Sequence, residues 1–366
     1  MNQSKVFLLV SPGPVDGYPP VQYQARLLAK AGHQVTLVTT SLTLEDTRPA
    51  FACPGVTVRY VPAGGRRETR MMRFGRALWS ARRALPGDMI EIAYDPIGIF
   101  YSDFVPGRPP QRVAHLHELL QNMDSFVERR LKGAASRYTA LVVPDSARAV
   151  FTQRQLSLTE RPLVVENYPL RADSPLSRHK SPGARFEVVY CGSLGLHQKL
   201  DQVVRSIPLW PEYVDLVLIG KDTTPIALEL RAMTEVLGIA DRVHFLGWMD
   251  TADAERRVAN SDLGLGLLEY GDDQWRTALG ASNKRYQYMK AGLPQVGDDN
   301  PGVPELLDGI GTCLKTHEPT EIAGLVTAYA NDPERCAIEG ARAFERHQGE
   351  FNYERVFQKF MDWIID

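Results

Sequence analysis

Short runs of consecutive apolar residues recur along the chain, and amphipathic segments with a three-to-four-residue period separate many of them. In the first half the runs are KVFLLV (5–10), QVTLVTT (34–40), VTVRYV (56–61), MIEIAY (89–94), RVAHLH (112–117), ALVVPD (140–145) and LVVEN (163–167). VQYQARLLAKAG (21–32) reads as an amphipathic helix closed by Gly32. Continuous Val/Ile/Leu runs separated by helices predict a parallel, doubly wound sheet, because such strands are buried on both faces. The pattern then breaks over YPLRADSPLSRHKSPGARF (168–186), which is rich in Pro, Ser and basic residues and reads as a linker. A second series follows: strands FEVVYCG (186–192), VDLVLIG (214–220), VHFLG (243–247) and LGLGLL (263–268), with PQVG (294–297) and GTCLK (311–315) closing it. LDQVVRSI (200–207), IALELRAMTEVLG (226–238) and ADAERRVANS (252–261) are its helices, and NYERVFQKFMDWIID (352–366) is a strongly amphipathic last one. The expected boundaries are a first Rossmann-like domain over 1–170, a linker over 171–184, a second over 185–345, and a helix over 346–366 that returns to the first domain. Two such halves place a ligand cleft between them, faced by strand C-terminal ends.

Composition changes this picture little. The 366 residues carry ordinary apolar and charged fractions of 44% and 23%, and a formal net charge of −2 gives no global field for nucleic acid. No apolar run is long enough for a membrane span, and the N-terminal run is too short for a signal peptide. The four cysteines are scattered without a CxxC pair, so neither a disulfide framework nor a zinc site is expected and a reducing cytoplasm fits. There is no G-x-G-x-x-G, no P-loop and no G-x-S-x-G elbow. The acidic pairs Asp272–Asp273 and Asp298–Asp299 read as solvated loop acids.

Two segments carry anion-binding chemistry. In YCGSLGLHQKLDQVV (190–204) a strand, a glycine-containing turn and a helix start offer backbone N–H groups, and Lys199 adds a point charge. In SNKRYQYMKAGLP (282–294) Ser282 reads as an N-cap, Gly292 as the left-handed C′ residue and Pro294 as the stop. Asn283 and Lys284 then occupy the first turn, at the positive end of the helix dipole. Two such devices in one half point to a ligand carrying phosphates. A third segment, GGRRETRMMRFGRALWSARRALPG (64–87), interleaves seven arginines with Met71, Met72, Phe74, Leu78 and Trp79. It reads as a solvated helix with a core-facing stripe, as a peripheral contact with an anionic membrane, or as a dock for a phosphorylated acceptor.

The order and spacing of the motifs resemble the GT-B glycosyltransferases, most of all the retaining family-4 type, over nearly the whole chain. DGYPPVQYQARLLAKAGHQVTLVTT is similar to that family's glycine loop, helix and GH-x-V-T strand; RVAHLHELL, ADRVHFLGWMD and ASNKRYQYMKAGLPQVGDD match later segments. The resemblance implies a GT-B fold, with two Rossmann-like domains facing a central cleft. It implies metal-independent, retaining sugar transfer from a UDP- or GDP-sugar to a small-molecule, lipid or polysaccharide acceptor, with no cofactor. Lys199 falls where the family holds the donor diphosphate, and Ser193 falls where a partner arginine usually stands, a loss that Lys284 is placed to replace. Gly17 matches the loop approaching the diphosphate, and Gly220, Trp248 and Met249 fall at strand ends where the base binds. Gln287 takes the place of the second glutamate of a Glu-x7-Glu pair, on the ribose. The first falls at Leu279 in gapless counting, with Glu269, Asp272 and Asp273 as the alternatives. His117 is implied as a sugar or acceptor ligand or base, beside Asp95 and Glu118, while His115 reads as structural. Two other classes stay open on these departures: a GT-B sugar-nucleotide epimerase or hydrolase, and a GT-B-like binding protein without catalysis.

Overall fold

Alternate residues of the strands Phe186–Cys191 and Val214–Ile219 show why such strands are mostly apolar. Val188, Tyr190, Leu216 and Leu218 enter one buried cluster, while Val189, Cys191, Val217 and Ile219 enter another on the opposite face. Helices cover both faces, so no position is left for the polar alternation of a half-exposed strand. The computed structural model describes residues 4–15, 18–40, 51–121, 125–172, 183–269 and 271–365. The chain divides into two units, one of residues 1–167 and 353–366 and the other of residues 168–352.

In the first unit the strands are β1 (Val6–Ser11), β2 (Gln34–Thr40), β3 (Val56–Val61), β4 (Ile90–Tyr94), β5 (Gln111–His115), β6 (Ala140–Val143) and β7 (Leu163–Val164). They form one sheet in the order β3-β2-β1-β4-β5-β6-β7, every pairing parallel. Its helices are α1 (Pro19–Lys30), α2 (Arg67–Ala84), α3 (Asp95–Phe104), α4 (Phe126–Ala134) and α5 (Ser146–Leu156). In the second unit β8 (Phe186–Cys191), β9 (Val214–Ile219), β10 (Val243–Phe245), β11 (Leu263–Gly266), β12 (Gln295–Gly297) and β13 (Gly311–Cys313) pair in the order β10-β9-β8-β11-β12-β13, again all parallel. Its helices are α6 (Leu200–Ser206), α7 (Pro225–Val236), α8 (Thr251–Ala259), α9 (Asp273–Arg276), α10 (Asn283–Lys290), α11 (Val303–Leu307), α12 (Pro319–Ala330) and α13 (Pro333–Gly349). The last helix, α14 (Tyr353–Ile365), belongs to the first unit and buries Tyr353, Val356, Phe357, Phe360, Met361 and Ile364, a stripe at helical spacing. Most of the segment read as a linker, residues 173–182, lies outside the described residues, as does Gly17.

Both sheets have a point at which the chain order reverses, β1/β4 in the first and β8/β11 in the second. Loops leaving the two strands diverge there, so a crevice opens outside their carboxyl ends. The candidate chemistry of each unit gathers at this edge.

Candidate active site

In the second unit the turn after β8 and the loop after β11 meet across the switch point. Lys199 caps α6 in a left-handed conformation, φ 52°, and its Nζ lies 2.7 Å from Glu269 Oε1. His197 Nδ1 lies 2.8 Å from the other carboxylate oxygen. The Lys199 and His197 contacts hold the Glu269 carboxyl below its usual range. Lys284, in the first turn of α10, places its Nζ 4.8 Å from the centre of the Tyr190 ring. Its aliphatic stem packs on the turn at Gly192, where an added Cβ would stand 3.5 Å from Lys284 Cε. Burial, with Arg285 adjacent, pulls the Lys284 ammonium down to about 7, against the opposing charge of Asp298. Gly220, after β9, is required by contact: a Cβ there would stand 2.1 Å from the Gly192 carbonyl oxygen. Two cations thus flank one glycine turn at a sheet edge.

The first unit builds a second cluster around Asp95, which opens α3 at φ 56°. Its carboxylate accepts the His117 backbone N–H at 2.9 Å and the Tyr18 hydroxyl at 3.0 Å, and His117 Nδ1 lies 3.4 Å away. Burial acts to raise the Asp95 pKa, but the His117 charge and the hydrogen bonds outweigh it and the value falls. His117 is buried, stacks on His115 at 4.3 Å and meets the edge of Tyr18 at 4.9 Å. Arg148 donates to the His117 carbonyl and lies 3.2 Å from Glu118. His117 Nε2 is buried without a hydrogen-bond partner among the described residues; His115 Nε2 is too, so the Asp95 contact sets His117 apart. His115 is instead tied into the core through Gln24, whose Nε2 lies 2.9 Å from its Nδ1.

Residues 185–332 match the family model described as "Glycosyl transferases group 1". Over those residues the second unit is similar to the group 1 glycosyl transferases. Solved structures resemble the whole chain. Anabaena HepE in complex with UDP and glucose aligns with a TM-score of 0.72 at 16% identity, covering 99% of each chain. Sucrose-phosphate synthase from Thermosynechococcus elongatus aligns at 0.74 and 16% identity, over 99% of this chain and 98% of that one. WaaG, a glycosyltransferase involved in lipopolysaccharide biosynthesis, aligns at 0.67 and 15%, over 97% and 98%. The fold is GT-B. A comparison with curated protein sequences finds no match.

Within the matched residues, Lys199, Ser193, Gly220, Trp248, Met249, Asn283, Lys284 and Gln287 all lie on loops after strands or on the first turns of α10. Ser193 is exposed, and its carbonyl accepts from the Tyr190 hydroxyl at 2.8 Å. Of the acids open to the first glutamate position, Glu269 contacts Lys199, whereas Asp272 caps α9 by accepting from Gln274 N at 2.7 Å. Leu279 packs on Gly302 instead, where a Cβ would meet its Cδ2 at 2.5 Å. Two expectations are corrected. Ser282 occupies the N-cap of α10, but its side chain makes no capping bond; Asn283 Oδ1 beside it is buried and unpaired among the described residues. Asp298 is not a solvated acid: it is buried, 2.9 Å from Arg285 Nη2, and accepts the Leu268 and Asn300 backbone N–H groups. That pair joins α10 to the β12 edge and fixes the helix carrying Lys284. Sequence reasoning missed Arg285, Tyr18, Arg148 and His197; an arginine inside an otherwise exposed-looking helix was the one signal available for the first.

Proposed function

We propose that this chain is a retaining, metal-independent glycosyltransferase of the family-4 type that moves a sugar from a nucleoside diphosphate donor, UDP or GDP, to an acceptor hydroxyl. The observation carrying this reading is the pair of lysines, Lys199 and Lys284, on one glycine turn of a unit similar to the group 1 glycosyl transferases. In the reaction the C1–O bond to the diphosphate breaks and its electrons leave with the diphosphate. The acceptor oxygen bonds to C1, and its proton passes to the departing diphosphate. The enzyme's main task is to hold the developing negative charge with donors already in place, worth about 2.7–4 kcal/mol each. Lys199, Lys284, the backbone at Ser193 and the α10 N-terminus with Asn283 take that role. Gly220, Trp248 and Met249 bound the base, and Gln287 meets the ribose as an uncharged donor and acceptor. On the acceptor side His117, oriented by Asp95, and Glu118 bind the sugar or acceptor. Similarity to a structure holding UDP and glucose favours UDP. No helix among the described residues is long and apolar enough to cross a membrane. Four free cysteines fit a reducing cytoplasm.

The test is thermal denaturation of the purified protein with UDP, GDP, TDP, ADP and CDP, followed by turnover with and without EDTA. A nucleotide at 100 times its Kd adds about 2.7 kcal/mol of apparent stability. UDP is expected to shift the transition, and Lys199→Ala to lower turnover roughly 10²–10³-fold without moving the melting temperature of the free protein. Absence of any nucleotide shift, or a Lys199→Ala variant that turns over like the parent, would overturn the reading. Loss of turnover in EDTA would overturn metal independence alone.

A further inference from the structure

Helix α2 does not bury all its large apolar residues. Phe74, Leu78 and Ala81 enter the core of the first unit, but Met72 and Trp79 remain 57% and 43% exposed, and Met71 is exposed as well. With Phe100, Tyr101 and Phe104 of α3 they line a cavity of about 620 Å³. That is within the range of sites that take a small molecule or a single chain, about 300–1,000 Å³. The apolar surface continues beyond the cavity. Phe104, 62% exposed, stacks on Phe100 at 5.5 Å, and Phe126 at the start of α4, 65% exposed, meets Phe100 edge-on at 6.0 Å.

The charges that α2 places around it are nearly all positive. Arg76 lines the cavity, and the Arg83 guanidinium lies 4.8 Å over the Trp79 ring. Arg66, Arg67 and Arg70 are exposed at the helix's N-terminal end, where Glu68 is the sole acid of α2. No ion pair to these five arginines occurs among the described residues. Arg82, by contrast, is spent inside, 2.7 Å from Glu91, and Arg73 donates to the Gly64 carbonyl.

We infer that this face docks on an anionic phospholipid bilayer, with lipid hydrocarbon entering the α2–α3 groove and the arginines meeting the phosphates. The groove alone would suit an uncharged ligand, and the arginines alone would suit any polyanion. Their coincidence on one face selects an amphiphile with an anionic head. The contact is peripheral and lies wholly in the first unit, so it goes beyond sugar transfer.

Sedimentation of the full chain with vesicles tests it. Vesicles of phosphatidylcholine mixed with phosphatidylglycerol are compared with phosphatidylcholine alone. Binding to the mixed vesicles is expected to be at least about tenfold stronger and to weaken with salt. Met72→Ser with Phe104→Ser, and separately Arg70→Glu with Arg76→Glu, are each expected to lower it about tenfold or more. All four residues are exposed, and an unchanged melting temperature and UDP shift will show that the fold and donor site persist. Brominated acyl chains should quench Trp79, a signal lost in Trp79→Phe while sedimentation remains. Failure to bind, equal binding to both vesicles, or full binding by the Met72→Ser/Phe104→Ser variant would overturn the inference. So would capture of a single-stranded oligonucleotide without capture of vesicles.

Discussion

At the scale of single residues, Lys284 separates a structural cation from one held ready for an anion. It stands on Tyr190 with Arg285 as its neighbour, and burial and Arg285 pull its pKa down to about 7, further than Asp298 pulls it back. In the unfolded chain the amine stays protonated to about pH 10.4. Between pH 7 and about 10.4 the unfolded state therefore binds more protons than the folded one, so stability from this residue rises with pH across that window and is lost as pH falls toward 7. A diphosphate reverses the balance by favouring the ammonium. UDP binding at pH 8 is thus expected to take up close to one proton. Affinity should fall as pH rises above 7, by at most about tenfold per unit. Calorimetric titration in buffers of different ionisation enthalpy measures the uptake directly. Lys284→Met should abolish it; uptake that survives in the variant would assign the proton to another group.

At the scale of elements, the position of α10 depends on what packs behind it. The helix ends at Gly292, φ 66°, and α13 crosses that end through Gly340. A Cβ on Gly340 would stand 2.2 Å from the Gly292 carbonyl oxygen and 3.1 Å from its carbon. Both obstacles are backbone, so the helices must separate. Alanine is intrinsically better than glycine inside a helix by about 1 kcal/mol. Overpacking costs about 1–3 kcal/mol and should prevail, so Gly340→Ala is expected to lower the urea midpoint of the second unit. A raised midpoint would show that α13 yields without cost. The strands around these helices were legible in sequence because a sheet buried on both faces leaves unbroken apolar runs. The edges of the site were less so. Helix α3 begins at a left-handed Asp95 followed by Pro96, directly after β4 with no loop between, so its start signals merge with the strand end. The acid facing Lys199 could not be placed by counting, because residues 271–282 contain only the short α9 and turns, without a period to fix register. Asp298 looked solvated because its partner, Arg285, is recognisable only once α10 is set against β12.

At the scale of the molecule, the second unit is one continuous segment, whereas the first needs the two ends of the chain. The C-terminal helix α14 is part of that unit's interior. The Tyr353 hydroxyl accepts from Gln24 Nε2 at 2.7 Å, and Gln24 Oε1 accepts from the Tyr94 hydroxyl at 2.6 Å. Gln111 Nε2 donates to the Ile364 carbonyl at 2.8 Å. Ending the chain at Asn352 would strip buried polar groups of their partners, at about 1–3 kcal/mol each. It would also remove the buried side chains of Val356, Phe357, Phe360, Met361 and Ile364, worth about 1.5–3 kcal/mol apiece. Even the lower figures together rival the whole stability of a domain, about 5–15 kcal/mol. The shortened chain is therefore expected to lose the folded first unit while residues 168–352 keep their own cores. Limited proteolysis should digest residues 1–167 and leave a fragment beginning near Tyr168, and UDP should still raise that fragment's melting temperature. Protease-resistant 1–167 in the shortened chain would show that α14 is dispensable to the first unit. A surviving fragment that ignores UDP, when the full chain responds, would show that donor binding draws on residues outside 168–352.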